Sequence, residues 1–275
     1  MKLILKKVHA YWYVLSVAFF YFLLYPVFYY FSRETCRYRS MNRVRRWWGW
    51  LSSAFAGFFY RFTYEEPIDW SKTYIVCPNH TSNLDISAMC MLIKSNCSFM
   101  GKEELTEGIV TSLFFKTVDV PVNRDSKMSS FRAFKKAMER LNDGITMIIF
   151  PEGGIADDYP PKLQPFKNGP FRLAIEAKVP IIPVTILNTW QMLWDSGTRY
   201  GSKPGFCKIF VHQPIETAHL SVNDADALRD RVYDMIEKKF AEEALPTHPQ
   251  PPFAPMAERG QVERSDDRVS RQGLN

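Results

Sequence analysis

The chain has 275 residues, a net charge of +6, and 46% hydrophobic and 15% aromatic residues. That content excludes a disordered or fibrous chain and can fill the core of one large domain or two small ones. The five cysteines are scattered, with no CxxC pair or His-Cys cluster, which argues against a zinc site and for reduced thiols in a cytosol-facing domain.

Residues 10–31 (AYWYVLSVAFFYFLLYPVFYYF) carry no charge. About 20 apolar residues suffice to span a bilayer as a helix. A cleaved signal would end in small residues, whereas this run ends in Tyr29, Tyr30 and Phe31 and then meets Arg33. A second apolar stretch, residues 47–62 (WWGWLSSAFAGFFYRF), is short for a span. Its tryptophans and tyrosine fit an interfacial or re-entrant segment. Between the two lies an arginine-rich connector with Arg33, Arg37, Arg39, Arg43, Arg45 and Arg46 against Glu34. Ten lysines and arginines and one acid give residues 1–62 a net +9, so the remainder of the chain is mildly acidic. Basic residues beside lipid-length apolar segments point to anionic headgroups rather than nucleic acid. The positive-inside rule puts the connector in the cytoplasm. Lys2, Lys6 and Lys7 on the other flank leave open a monotopic arrangement within one leaflet.

Beyond residue 66 short apolar runs alternate with helical patterns. Strands are expected at 73–78, 97–101, 118–122, 145–150, 179–187 and 207–212, with Pro121 marking an edge or an end. Helices are expected at 83–94, 105–117, from Ser126 to the Asn142-Asp143-Gly144 stop, at 169–178 and at 223–244. The order implies an α/β domain with a mostly parallel central sheet flanked by helices, behind an N-terminal two-helix hydrophobic anchor. The expected domains are residues 1–65 (anchor), 66–245 (catalytic) and 246–275, a proline- and charge-rich tail expected to be disordered.

Two loops follow strands at the edge where α/β sheets bind ligands. The first, NHTSNLD (79–85), offers His80 as a general base and Asp85 as the carboxylate that would fix its tautomer. Five residues turn an ideal helix by about 500°, so the pair meets only if His80 precedes the regular helix. Asn, Thr, Ser and Asp are also helix-capping residues, and a plain turn reads equally well. The second loop, FPEGG (150–154), places Glu152, Gly153 and Gly154 after an apolar strand, either for close approach to a ligand or as a tight turn. Lys102 and Arg124 follow two further strands, as phosphate-holding cations or as surface ion-pair partners. Asp157 and Asp158 read as solvated loop charges, and His212 and His219 as isolated surface residues. No serine elbow, P-loop, dinucleotide fingerprint or HExxH occurs.

Four stretches stand in the order of one family. NHTSNLD resembles the NHxxxxD block of the glycerolipid acyltransferases, VPVNRDS their second block, FPEGGI their FPEGTR block and VPIIPV their fourth. The apolar N-terminal pair is similar to the anchor of bacterial 1-acylglycerol-3-phosphate acyltransferases. The resemblance implies that His80 deprotonates an acceptor hydroxyl while Asp85 orients it. It implies that Lys102 and Arg124 hold the acceptor's phosphate, with Glu152, Gly153 and Gly154 shaping that pocket. The donor would be acyl-CoA or acyl-carrier protein as co-substrate, with no cofactor, metal or nucleic acid involved. The product would be phosphatidic acid, made at the cell inner membrane by a cytoplasm-facing domain. One departure matters: the third block's Thr-Arg is here Gly154-Ile155. Lys162 or Lys167 is a candidate replacement for that arginine. The alternatives are a lyso-ornithine or lyso-glycine acceptor, or a non-enzymatic membrane adaptor with a degenerate site. A hydrolase lacks an evident nucleophile.

Overall fold

A computed structural model describes residues 1–194 and 199–244. The expected tail lies outside the described residues.

The chain opens with two helices, α1 (Lys2–Ser32) and α2 (Tyr38–Phe55), followed by strand β1 (Phe58–Tyr64). By length and composition α1 is apolar enough to cross a membrane, and it is the one such helix among the described residues. Val8, Tyr11, Trp12, Leu15, Phe19, Phe22 and Leu23 are exposed along it. Its other face packs on α2 and on the domain beyond: Tyr21 and Phe28 share a buried cluster with Tyr38, Met41, Phe114, Val118 and Ile145.

The remaining elements are β2 (Ile75–Pro78), α3 (Leu84–Leu92), β3 (Cys97–Lys102), α4 (Ser112–Phe115), β4 (Val120–Val122), α5 (Lys127–Asn142), β5 (Thr146–Ile149), α6 (Gly169–Ala177), β6 (Ile181–Ile186), α7 (Thr189–Met192), β7 (Gly205–Val211) and α8 (Ala225–Ala244). One seven-stranded sheet has the order β1-β7-β6-β2-β5-β3-β4. All pairings are parallel except β6 with β7. The two faces carry separate cores. One packs against α3 through Leu84, Ala88 and Met89, and the other against α5, α6 and α8 through Ala137, Phe171 and Val232. Both faces being covered is why β2, β5 and β6 read as continuous apolar runs.

Three expectations need correction. Residues 47–62 are not one segment: Trp47 to Phe55 completes α2, Gly57 turns the chain at φ +77°, and Phe58–Tyr64 becomes an edge strand beside β7. An aromatic run reads alike as membrane interface and as strand, because both want large amphipathic rings. The arginine connector is mostly helix, and Arg45 is buried rather than free for headgroups. Its Nη2 and Nη1 donate to Asp119 Oδ2 and Oδ1 at 2.9 and 3.1 Å, between the rings of Phe99 and Phe114. Residues 105–117 do not form one helix. The Thr111 hydroxyl donates to Leu105 O, and the segment divides into a 3-10 turn at Glu103–Thr106 and the short α4.

Candidate active site

The parallel strands β2, β5, β3 and β4 all end at one edge, and each delivers a loop to it. β2 ends at Pro78, and Asn79 locks the exit: its side-chain amide donates to Ile186 O at 3.1 Å and accepts from Ile186 N at 2.6 Å. The regular turns of α3 begin only at Leu84, so His80 precedes the helix and the spacing objection disappears. His80 Nδ1 lies 3.0 Å from Asp85 Oδ2.

Asp85 is fully buried and densely bonded. Its Oδ2 also accepts the backbone N–H groups of Thr81 at 2.7 Å and Ser82 at 2.9 Å, and Oδ1 accepts the Thr189 hydroxyl at 2.6 Å. A carboxylate with that many donors cannot rotate. With Nδ1–H given to Asp85, His80 is set in the tautomer whose Nε2 accepts a proton. The His80 ring stacks on Phe150, centroids 4.0 Å apart. Thr189, 104 residues from Asp85, had no local signal in the sequence.

Glu152 follows β5. Its Oε1 accepts the His80 backbone N–H at 2.6 Å and its Oε2 the Gln164 N–H at 2.8 Å, which ties the two motif loops together. Burial raises its pKa to about 7, against the lowering effect of those two donors. Gly153 adopts φ +92°, a conformation that favours glycine, and a Cβ there would overlap Arg124 Nη1. Arg124 donates to Gly153 O. Burial lowers its pKa, opposed by Glu104.

A cavity of about 400 Å³ opens beside these groups. His80, Lys102, Arg124, Gly153, Gly154 and Ile155 line it with Phe99, Phe114 and Phe115, and its walls reach Arg45 and Asp119. The edge thus combines a positioned imidazole, two cations and an aromatic slot. Of the residues expected here, Glu152 does not line the cavity but holds its loops. Asp157, Asp158 and His219 are exposed. The expectation for His212 is corrected: it is buried, with Nε2 2.8 Å from Thr185 Oγ1 and Nδ1 near Glu65.

A family model described as Acyltransferase matches residues 37–187, from α2 through β6. The chain belongs to the acyltransferase family. An acyltransferase of Schizosaccharomyces pombe is 30% identical over 198 residues, 70% of each chain. The 1-acyl-sn-glycerol-3-phosphate acyltransferase alpha of Mus musculus is 29% identical over 164 residues, 59% of this chain and 56% of that one. The chain therefore aligns with just over half the length of the mouse protein. In fold it is similar to the crystal structure of the 1-acyl-sn-glycerophosphate acyltransferase PlsC of Thermotoga maritima. The TM-score is 0.74 at 21% identity, over 90% of this chain and 100% of that one. Within the family match lie all four motif stretches and the arginine-bearing α2, while α1, β7 and α8 lie outside it.

Proposed function

We propose that this family member transfers a fatty acyl group from acyl-CoA or acyl-carrier protein to the sn-2 hydroxyl of a 1-acyl-glycerol-3-phosphate, giving phosphatidic acid. The observation that carries this reading is the His80–Asp85 bond at the mouth of a largely apolar cavity flanked by Lys102 and Arg124. His80 Nε2 removes the proton of the acceptor hydroxyl. The oxygen attacks the thioester carbonyl and a tetrahedral oxyanion forms. Its collapse breaks the C–S bond, and the leaving thiolate takes the proton back from the imidazolium. Asp85 stabilises that imidazolium throughout.

Work on a lipid acceptor requires a lipid surface. The length and apolar exposure of α1 support membrane association. Arg33, Arg39 and Arg43 remain exposed after it and favour a cytoplasmic placement at the inner membrane. A lyso-ornithine or lyso-glycine acceptor gains support from one observation, the uncharged Ile155 in the cavity wall.

The test is an acceptor panel with labelled acyl-CoA, run on membranes holding wild type or His80→Ala. The phosphate-bearing acceptor is expected to be preferred. Loss of the base should lower turnover by about 10²- to 10⁴-fold with the fold intact. Equal turnover by the two proteins would remove His80 from the chemistry, and preference for an aminolipid would replace the acceptor.

A further inference from the structure

Asp85 draws its support from two directions. Its Oδ2 faces His80 Nδ1 and accepts the backbone N–H groups of Thr81 and Ser82, all from the loop that carries the imidazole. Donors that belong to one loop shift with it. Oδ1 is held differently: its donor among the described residues is the Thr189 hydroxyl at 2.6 Å, from the start of α7. Thr189 follows closely on β6 and so refers the carboxylate to the sheet.

Thr189 is itself fixed on both sides. The Asn188 side-chain amide donates to Phe206 O at 3.0 Å and accepts from Lys208 N at 2.7 Å, which clamps the chain to β7. Trp190 and Met192 are buried, and the Thr189 carbonyl accepts the Leu193 N–H at 2.9 Å.

A second hydroxyl extends the network. Thr81 Oγ1 lies 3.2 Å from Thr189 Oγ1. A threonine hydroxyl has one proton to give. Thr189 gives its proton to Asp85, so Thr81 is the donor in this contact. The hydrogen bonds run in one direction, from Thr81 through Thr189 to Asp85, and both threonines and Asp85 are buried. Hydrogen bonds linked in this way polarise one another. Neither threonine lines the cavity that His80 lines. Thr189 also lies beyond the family match, which ends at residue 187, so the brace comes from outside the matched region.

We infer that Thr189 is a positioning residue for His80: its hydroxyl fixes the Asp85 carboxylate, and through it the tautomer and orientation of the imidazole, with Thr81 bracing Thr189 from behind. Proton transfer to Nε2 creates a cation that the carboxylate must face without turning. The effect on turnover rests on the proposed acyl transfer; the hold on the tautomer does not.

The experiment uses the full-length protein in detergent. It compares wild type, Thr189→Val, Thr189→Ser, Thr81→Val, His80→Ala and the double variant His80→Ala/Thr189→Val. Valine keeps the shape of threonine without the hydroxyl, and serine keeps the hydroxyl. Lysophosphatidate and acyl-CoA are varied in turn. Thr189→Val should lower kcat on the order of tenfold, as loss of a hydrogen bond to a carboxylate does, with both KM values unchanged. Thr189→Ser should restore most of the loss, and Thr81→Val should lower kcat by less. Added to His80→Ala, Thr189→Val should change nothing further, because it acts through the imidazole. The inference is overturned by an unchanged kcat in Thr189→Val, by a serine variant as slow as the valine one, or by the same fractional fall without His80.

A substrate-free measurement separates positioning from acyl transfer. Nitrogen NMR of protein carrying isotopically labelled histidine, at alkaline pH, reports which ring nitrogen of His80 holds the proton. The signal is assigned by its loss in His80→Ala. Wild type and Thr189→Ser should show the Nδ1–H form, and Thr189→Val a mixture with the Nε2–H form. A wild-type tautomer in Thr189→Val overturns the inference. Equal turnover by wild type and His80→Ala, with the mixture present in Thr189→Val, supports the positioning while sinking acyl transfer by His80.

Discussion

Asp85 concentrates more of the site than any other side chain. Its Oδ2 faces the His80 ring and two backbone N–H groups, so Asp85→Asn would turn an amide toward donors or withdraw from the imidazole. Turnover should fall by about 10²-fold or more. Stability should fall by about 1–3 kcal/mol as buried donors lose their acceptor, measurable by thermal unfolding beside the activity assay. Glu152 has a different signature. Its carboxyl binds protons more tightly in the folded chain than in the unfolded one, so its contribution to stability is present at acid pH. That contribution is lost as pH rises from the ordinary glutamate value of 4.5 through about 7. Glu152→Gln should flatten this decline, and the difference in unfolding midpoint between variant and wild type should grow in the variant's favour over that window. The sequence named both residues, because a motif keeps chemistry and spacing together. It was silent on Thr189, since a contact across 104 positions leaves no local trace.

Helix α2 joins the N-terminal pair to the catalytic sheet by a buried ion pair. Arg45 and Asp119 are both almost fully enclosed, and Asp119 Oδ1 also accepts the Phe99 backbone N–H at 2.9 Å. Burial by itself lowers the Arg45 pKa, but the Asp119 charge reverses the net shift to upward. Arg45→Met should destabilise the fold by about 3–5 kcal/mol by stranding the carboxylate, and Arg45→Met with Asp119→Leu should recover most of that. Denaturant titration of the three proteins in detergent decides it: equal midpoints for the single and double variants would reject the coupling. Composition could not distinguish Arg45 from Arg43 in one basic run. Helical phase decides which of them turns inward, and that phase requires a helix starting at Tyr38. The missed strand β1 has a similar cause, because its partner β7 lies far along the chain. The parallel strands β2, β5 and β6 were legible because both their faces are apolar.

At the scale of the whole molecule, α1 serves two surfaces at once. Its inner face completes the cluster around Phe28, Trp48 and Phe114, while its outer face remains apolar and uncovered. Removal of residues 2–32 is expected to shift the protein out of the membrane pellet and to lower its unfolding temperature as well. A truncated protein that still sediments with membranes would move the anchor elsewhere. The sheet order adds a consequence in time. Strand β1 is an outermost strand whose partner is β7, roughly 150 residues later in the chain. At about 5–20 residues per second of synthesis, β1 leaves the ribosome on the order of ten seconds before its neighbour exists. If α1 enters lipid as proposed, the nascent chain spends that interval tethered, and the strand waits at the bilayer rather than among other unfinished chains.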